Sequence, residues 1–155
     1  METTDYGEVA EEVVRRASKH VWCSFATVDR AGRPRSRVIH PVWEGPHGWV
    51  GTFAGSHKEK HLAKTPYVSC AYVDAEAPLY VDCAVTRIED LETKQHAWDF
   101  IKRQKPEPYG FDPGMIWTDG PGGANFGLWR LDPWRIEVYT ANPPNPPVVA
   151  IWRPG

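Results

Sequence analysis

Two arginines and a short basic helix carry the residue types best suited to binding an anion. Arg35 and Arg37 stand two positions apart on a predicted strand, so both side chains point to the same face of the sheet. A helix predicted over residues 56–64 places Lys58 near its start. Arginine holds a phosphate through two parallel hydrogen bonds, whereas lysine contacts it as a point charge. We therefore predict a phosphate site with Arg37 and Lys58 as ligands and Arg35 as an assisting residue.

The start of this helix has the backbone features that an anion site requires. Ser56 is a favourable N-cap residue, and Gly55 lets the backbone approach a ligand closely. Free N–H groups in the first helical turn attract negative charge. His57 and His61 lie four residues apart, but Glu59 does not stand where the His-Glu-x-x-His motif requires it, and no third ligand is evident. We predict no metal site.

Composition indicates one domain with a β-rich core or a surface for stacking a planar ligand. A chain of 155 residues is long enough for one hydrophobic core, and eight tryptophans are many for this length. The net charge of −2 gives no reason to expect a nucleic-acid partner. The domain prediction covers residues 1–155, divided into an N-terminal helix (1–19), a barrel core (20–140) and a proline-rich tail (141–155).

Cysteine usage and hydropathy indicate a cytoplasmic protein. Cys23, Cys70 and Cys83 form no Cys-x-x-Cys pair, and their odd number argues against a complete disulfide framework. The first residues are acidic and polar, unlike a signal peptide, and no apolar run approaches the length needed to span a membrane. We expect no membrane partner.

Hydrophobic patterning predicts a mostly antiparallel sheet with two long helices. Alternation and turn residues predict strands at 21–29, 35–43, 49–53, 67–73 and 79–88, and at 126–131 and 134–139 joined by Asp132-Pro133. Amphipathic patterns predict helices over 4–18 and 91–104. The intervening loop, 105–125, is long and carries Tyr109, Phe111 and Trp117, which favours a binding or interface role. In the tail, 148–152 could pair at a sheet edge.

The segment 32–66 resembles the FMN-binding half of the pyridoxamine 5'-phosphate oxidase-like family, the split β-barrel flavoproteins. The shared pattern consists of Gly32-x-Pro34, Arg37, Thr52, Ser56-His57-Lys58 and Thr65-Pro66. The resemblance covers about residues 20–140. It implies a mainly β fold with flanking helices, a six-stranded antiparallel split β-barrel.

The resemblance also implies which residues contact the flavin. Strand residues 38–42 would lie against the isoalloxazine ring through their backbone, and Thr52 would meet the flavin. The sequence departs from the family at Val42, where lysine is frequent, and at His57, where arginine is frequent; both changes weaken the electrostatic support for a reduced flavin and for the phosphate. The implied cofactor-binding set is Arg35, Arg37, Val38, Ile39, His40, Val42, Thr52, Ser56, His57 and Lys58.

The activity implied is transfer of hydride or electrons through a non-covalently bound FMN, in a homodimer with the cofactor at the subunit interface. A flavin carries the chemistry itself, so we assign no catalytic side chain. A small-molecule substrate would stack on the flavin, walled by Trp117, Tyr109 or Phe111. The oxidases carry an Arg-x-His substrate motif near the end of the barrel, whereas residues 140–147 here read TANPPNPP. We predict a substrate other than pyridoxamine 5'-phosphate.

Three alternatives remain open. The cofactor could be the deazaflavin F420, whose acidic tail would contact basic side chains. The protein could bind a flavin without turnover, as a sensor or carrier, or it could be a cofactor-free β-barrel. FMN is favoured over F420. The basic residues that could receive the F420 tail are Lys58, Lys60, Lys64, Arg15 and Arg16.

Overall fold

Nine strands form one continuous sheet in the computed structural model, which describes all residues from 1 to 155. Three α-helices and one short 3-10 helix, at Pro113–Met115, accompany the sheet. The helices are α1 (Gly7–His20), α2 (His57–Lys64) and α3 (Leu91–Arg103). The strands are β1 (Glu2–Thr3), β2 (Cys23–Val28), β3 (Pro34–Ile39), β4 (Val42–Glu44), β5 (His47–Phe53), β6 (Tyr67–Tyr72), β7 (Leu79–Ile88), β8 (Phe126–Thr140) and β9 (Val148–Trp152).

The sheet closes on itself through the chain between β3 and β4. Its main path runs β1-β9-β8-β7-β6-β2-β3, while β5 pairs with β8 and β4 pairs with β5. Strand β3 therefore ends one side and β4 the other, and only His40 and Pro41 separate them in sequence. The mainly β barrel with flanking helices is confirmed, and the strands are antiparallel except for the parallel β1–β9 pair.

The strand count is nine rather than the predicted six, for local reasons. The predicted strand 35–43 divides because Pro41 has no N–H to donate to a ladder. Residues 126–140 form one strand instead of two because Pro133 sits opposite Cys83, where the register of β7 and β8 shifts. Strands β1 and β9 are short, and they form because the two ends of the chain meet.

Helices α1 and α3 pack where the sequence pattern predicts. The predicted shared face of α1, Val9, Val13 and Ala17, is buried, and so are Trp98 and Ile101 of α3. Each burial of an apolar side chain of this size contributes about 1.5–3 kcal/mol, except for the smaller alanine. None of the helices is both long enough and apolar enough to cross a membrane.

Arg16 joins α1 to the far end of β8. Its side chain is 3% exposed and donates to the carbonyls of Pro78 and Tyr139 and to Thr140 Oγ1, while Glu12 neutralises its charge. Arg15 pairs with the same glutamate. Arg16 is therefore engaged within the fold and not accessible to an acidic cofactor tail, whereas Arg15 is half-exposed in a surface ion pair.

The three cysteines lie buried on the neighbouring strands β2, β6 and β7. Cys23, Cys70 and Cys83 are all free thiols. Contact with Cys70, together with burial, raises the pKa of Cys23. A thiol that is buried and protonated is a poor nucleophile.

We predict that a thiol-reactive aromatic disulfide will label none of the cysteines in the folded protein and all three in concentrated guanidinium chloride. Absorbance of the released thiolate measures the count. Rapid labelling of the folded protein would contradict the burial of this row of thiols.

Candidate functional site

An aromatic cleft of about 400 Å³ opens between β3, the end of β5, the start of α2 and the 105–125 loop. Its walls include Trp22, Phe53, Phe111 and Trp117. Trp117 stands close over β5, since a Cβ at Gly51 would come within 2.7 Å of its ring. A cleft of this size and lining is typical of a site for a small planar molecule. The cleft-lining residues among the predicted contacts are Val38, Ile39, His40, Thr52 and Lys58.

Two cations, Arg37 and Lys58, are near enough for the charge of Arg37 to act on Lys58, and neither has a carboxylate partner. Lys58 lines the cleft. Burial and then the charge of Arg35 lower the pKa of Arg37. Burial and then the charge of Arg37 lower the pKa of Lys58, and Glu59 only partly offsets them. Ion pairs within the chain involve neither Arg35, Arg37 nor Lys58. An anion bound between the two cations would relieve this repulsion.

Arg37 is oriented by two side chains that sequence reasoning did not select. Its Nη1 donates to the buried Thr27 Oγ1 at 2.8 Å, and its Nη2 lies 3.4 Å from His61 Nδ1. Thr27 Oγ1 is itself 3.1 Å from the same ring nitrogen. His61 is half-buried, and burial followed by the charge of Arg37 lowers its pKa.

Ser56 begins α2 without capping it through its side chain. It occupies the N-cap position with extended backbone angles, but its hydroxyl makes no cap hydrogen bond. Ser56 Oγ is buried and has no hydrogen-bond partner at all. A buried hydroxyl without a partner is costly, and a phosphate oxygen at the helix start would satisfy it after a rotation about χ1. The site therefore fits an anionic group.

Glu59 fixes the turn that leads into α2. Its carboxylate is 4% exposed, and each oxygen accepts two hydrogen bonds. Oε1 accepts from Thr52 Oγ1 at 2.7 Å and Trp129 Nε1 at 3.0 Å, while Oε2 accepts from the Gly55 amide and Arg87 Nη1, both at 2.7 Å.

The same contacts keep Glu59 ionised. Burial by itself raises the pKa of this carboxyl group, but the hydrogen bonds from Thr52, Trp129 and Gly55 and the charge of Arg87 outweigh it and lower the pKa. The sequence held a signal for this residue, because Ser56-x-x-Glu59 matches a capping box. The carboxylate points inward to the sheet and accepts a hydrogen bond from the backbone amide of Gly55, the residue before the N-cap.

Two glycines make room for this arrangement. A Cβ at Gly127, opposite Thr52 in the β5–β8 ladder, would collide with Glu59 Oε1 and lie 2.7 Å from Thr52 Oγ1. Gly55 has φ +75°, a conformation that favours glycine. The turn and the buried carboxylate therefore depend on residues from both β8 and α2.

His40 lies in the cleft and is held by the long loop. Its Nε2 is 2.6 Å from the carbonyl of Tyr109, and its ring packs against Trp22 and Phe111 at centroid distances of 5.2 and 5.0 Å. Burial lowers the pKa of His40, partly offset by that hydrogen bond. Tyr109 is itself buried and accepts a hydrogen bond from the Trp43 amide, so it supports the cleft from behind instead of walling it.

Five predicted contacts lie outside the cleft lining. The Val42 side chain is fully buried in the core, so only its backbone is available to a ligand. Arg35 is exposed on β3, and Arg37 and Ser56 adjoin Lys58 at the edge. His57 is exposed and lines a separate polar depression with Lys60, on the other side of α2. These assignments stay predictions.

Volume alone does not locate the site. A wider groove of about 650 Å³ lies on the outer face of the sheet, lined by Tyr67, Trp134 and small residues with Asp82 as its one charged side chain. It has no cation and no unpartnered buried polar atom. No group of three or more His, Cys, Asp or Glu side chains is arranged to hold a metal ion anywhere in the chain.

Comparison with known families matches residues 9–139 to the pyridoxamine 5'-phosphate oxidase family. A relative from Salinispora arenicola, described as a pyridoxine/pyridoxamine 5'-phosphate oxidase, is 29% identical over 138 residues, which cover 74% of this chain. The match covers 62% of that relative, so this chain spans less than two thirds of its length.

Solved structures share the fold at low sequence identity. A Clostridium acetobutylicum protein related to general stress protein 26 has a TM-score of 0.69 at 13% identity, with 94% of each chain covered. A pyridoxamine 5'-phosphate oxidase-related, FMN-binding protein from Nostoc punctiforme has a TM-score of 0.59 at 18% identity, with 96% of each chain covered. PhzG from Burkholderia lata has a TM-score of 0.63 at 16% identity, covering 98% of this chain and 94% of its own.

Replacing Glu59 with glutamine tests the buried carboxylate. We expect Glu59→Gln to lower the free energy of unfolding by about 2 kcal/mol. The neutral amide loses the charge-assisted hydrogen bonds, and its NH₂ group would face the N–H and O–H donors that now contact the carboxylate. Glu92→Gln, an exposed change on α3, is the matched control. Chemical denaturation measures both, and equal stabilities of the two variants would contradict the role given to Glu59.

The difference in stability between wild type and Glu59→Gln should depend on pH. Because the pKa of Glu59 is lowered from 4.5 on folding, its ionised form stabilises the fold fully above that pH. This contribution is lost as the pH falls through the lowered pKa. The stability difference between wild type and Glu59→Gln should therefore shrink in acid, and a pH-independent difference would argue against titration of this group.

Proposed function

The chain belongs to the pyridoxamine 5'-phosphate oxidase family, and from that premise we propose that it is an FMN-binding oxidoreductase acting on a small planar molecule. The observation that carries the proposal is the pairing of two unneutralised cations, Arg37 and Lys58, with an aromatic cleft. An anionic group and a flat apolar group joined in one ligand match these two features. FMN has both parts.

Different residues would bind the phosphate and the ring system of FMN. Arg37 and Lys58 would bind the phosphate, with the Ser56 hydroxyl donating to one of its oxygens. The backbone at Val38 and Ile39 and the rings of Trp22 and Trp117 would enclose the isoalloxazine. Bound FMN supplies hydride or electron transfer, while these residues orient it and exclude water.

FMN remains favoured over F420. The arginines of α1 have partners within the chain, and Lys64 donates to the carbonyl of Arg30. Among the basic residues considered for an acidic tail, Lys58 and Lys60 stay without a partner in the chain. Lys58 is already assigned to the phosphate. F420 binding is kept as an outcome of the titration below.

The substrate is proposed to be an aromatic or otherwise flat molecule that is not pyridoxamine 5'-phosphate. The Salinispora arenicola relative is named for the pyridoxine and pyridoxamine phosphates. In this chain the region after Tyr139 has no Arg-x-His motif, and 148–152 forms strand β9 instead. The loop residues Phe111 and Ile116 give the cleft mouth an apolar wall that offers no charge to a second phosphate.

We predict that alanine at Arg37 or Lys58 will weaken FMN binding about tenfold to a hundredfold, the effect of losing one charge-assisted hydrogen bond. Lys60→Ala, which removes an exposed cation from the same helix, is the matched control. Flavin fluorescence measures the affinity for FMN and, in parallel, for riboflavin, which lacks the phosphate. Wild type should prefer FMN, and the Arg37→Ala/Lys58→Ala protein should not.

Other results of this titration separate the alternatives. Saturable binding of F420 with no binding of FMN would replace the cofactor assignment. FMN that binds but is never reduced by NADH or NADPH, nor coupled to any acceptor, would indicate a sensor or carrier. Unchanged FMN affinity in the double variant would overturn the phosphate site.

A homodimer with the cofactor at its interface is the proposed assembly. Several large apolar side chains around the cleft are exposed, and an exposed apolar cluster is typical of a protein interface. We predict a dimer by sedimentation velocity, dissociated by Val38→Glu but not by Val73→Glu, an equally exposed valine elsewhere. Identical behaviour of the two variants would contradict an interface at the cleft. The exposed apolar side chains around the cleft are Trp22, Val38, Phe53, Met115 and Ile116.

A further inference from the structure

His40 presents a ring nitrogen to the cleft whose protonation state is fixed by the loop behind it. The Tyr109 carbonyl can only accept a hydrogen bond, so the 2.6 Å contact places the proton on His40 Nε2. In the neutral ring, Nδ1 is then a bare acceptor. Nδ1 has no hydrogen-bond partner in the chain, and it is not among the buried polar atoms. Nδ1 therefore keeps some access to solvent on a residue that lines the cleft.

The ring cannot easily turn to present a different atom. The rings of Trp22 and Phe111 both pack against His40, and the Tyr109 carbonyl holds Nε2. Tyr109 is only 1% exposed, and its hydroxyl accepts from the Trp43 amide at 2.8 Å. The loop that carries the acceptor carbonyl is therefore anchored to β4, and the tautomer of His40 follows from that anchor.

No other side chain of the cleft offers a free acceptor. Trp22, Trp117 and Lys58 carry donors only. The Thr52 hydroxyl is 1% exposed and donates to Glu59. A planar ligand edge with an N–H or O–H group therefore has one side-chain partner in the cleft, which is His40 Nδ1.

We propose that His40 Nδ1 accepts a hydrogen bond from an N–H or O–H group on the edge of the planar ligand, and thereby selects ligands that carry a donor there. The proposal extends the proposed function, and it rests on that function where the donor is the flavin. The donor belongs either to the imide N–H of the flavin or to the substrate stacked on it. The shared chemistry is a ring-edge donor.

The electrostatic surroundings keep this acceptor available near neutral pH. Burial lowers the pKa of His40, which favours the unprotonated ring. The groups that face it are the aromatic rings of Trp22, Tyr109 and Phe111, and the one charged group lining the same cleft is the Lys58 cation. A second proton on Nδ1 would turn the acceptor into a donor and remove the proposed bond.

The first arm of the test uses the cofactor as the donor. Nitrogen-15 NMR of histidine-labelled protein should show the neutral Nε2–H tautomer at His40, and a changed Nδ1 resonance on addition of FMN. If the imide is the donor, 3-methyl-FMN, which has a methyl group in place of the imide proton, should bind about tenfold more weakly, the effect of one lost hydrogen bond. The same two ligands should bind His40→Phe equally, because phenylalanine keeps the ring packing and removes both nitrogens.

The second arm uses a substrate-like donor. Phenol and anisole differ in that anisole lacks the O–H, so phenol alone should change the His40 Nδ1 resonance, in the FMN-loaded protein or in the protein without FMN. A response to FMN that 3-methyl-FMN does not produce assigns the donor to the cofactor, and a response to phenol but not to anisole or FMN assigns it to the substrate. Either response supports the proposal.

The outcome that overturns the proposal is an unchanged Nδ1 resonance in both arms, or an Nδ1–H tautomer in the free protein. Failure of the proposed function is distinguishable, because flavin fluorescence in the same samples reports whether FMN binds at all. If FMN does not bind, the phenol and anisole comparison still decides whether His40 is an acceptor. His96→Phe, which replaces an exposed histidine of α3 away from the cleft, controls for non-specific effects of the ring change.

Discussion

The site depends on one buried carboxylate. Glu59 lies on α2, yet its four hydrogen-bond donors come from β5, the turn before α2, β7 and β8. A buried carboxylate is stable only when its lone pairs are satisfied, so the position of α2 relative to the sheet is set by this requirement. The turn at Gly55 and the exposed start of the helix follow from it. Glu59, which organises the proposed anion site, would therefore not face the anion.

The two sides of α2 differ in whether their polar groups have partners within the chain. On the inner side of α2, both carboxylate oxygens of Glu59 accept two hydrogen bonds each. On the outer side, Arg37 and Lys58 repel each other, and the Ser56 hydroxyl has no partner. Such unpaired groups lower the stability of the free protein, and their persistence beside an aromatic cleft is a reason to assign function there. The proposed phosphate site and the hydrogen-bond network of Glu59 therefore lie on opposite sides of one helix.

Local pattern was enough to select the residues proposed to face the ligand but not the residues that hold them. Arg37, Ser56 and Lys58 lie in one segment, where spacing and turn chemistry are readable. Thr27 and Trp129 reach the site only through strand pairing between distant segments, which no local pattern specifies. Glu59 had a visible signal as a capping-box residue, but that signal predicts a local bond and not the inward one observed.

The elements of the fold that depend on local pattern were predictable, and those that depend on contacts between distant segments were not. Hydrophobic periodicity indicated the barrel and both long helices, because burial of one face determines them. The short strands β1 and β9 form only when the chain ends meet, and β8 continues past Pro133 because a register shift on β7 accommodates it.

Phosphorus-31 NMR of bound FMN tests the central claim, that Arg37 and Lys58 form a phosphate site. A free phosphate monoester takes up its second proton near pH 6. Between two cations the dianion is stabilised, so the bound FMN resonance should stay at the dianion position as the pH falls through that value. A bound phosphate that titrates like free FMN would show that it projects into solvent, and it would contradict the account.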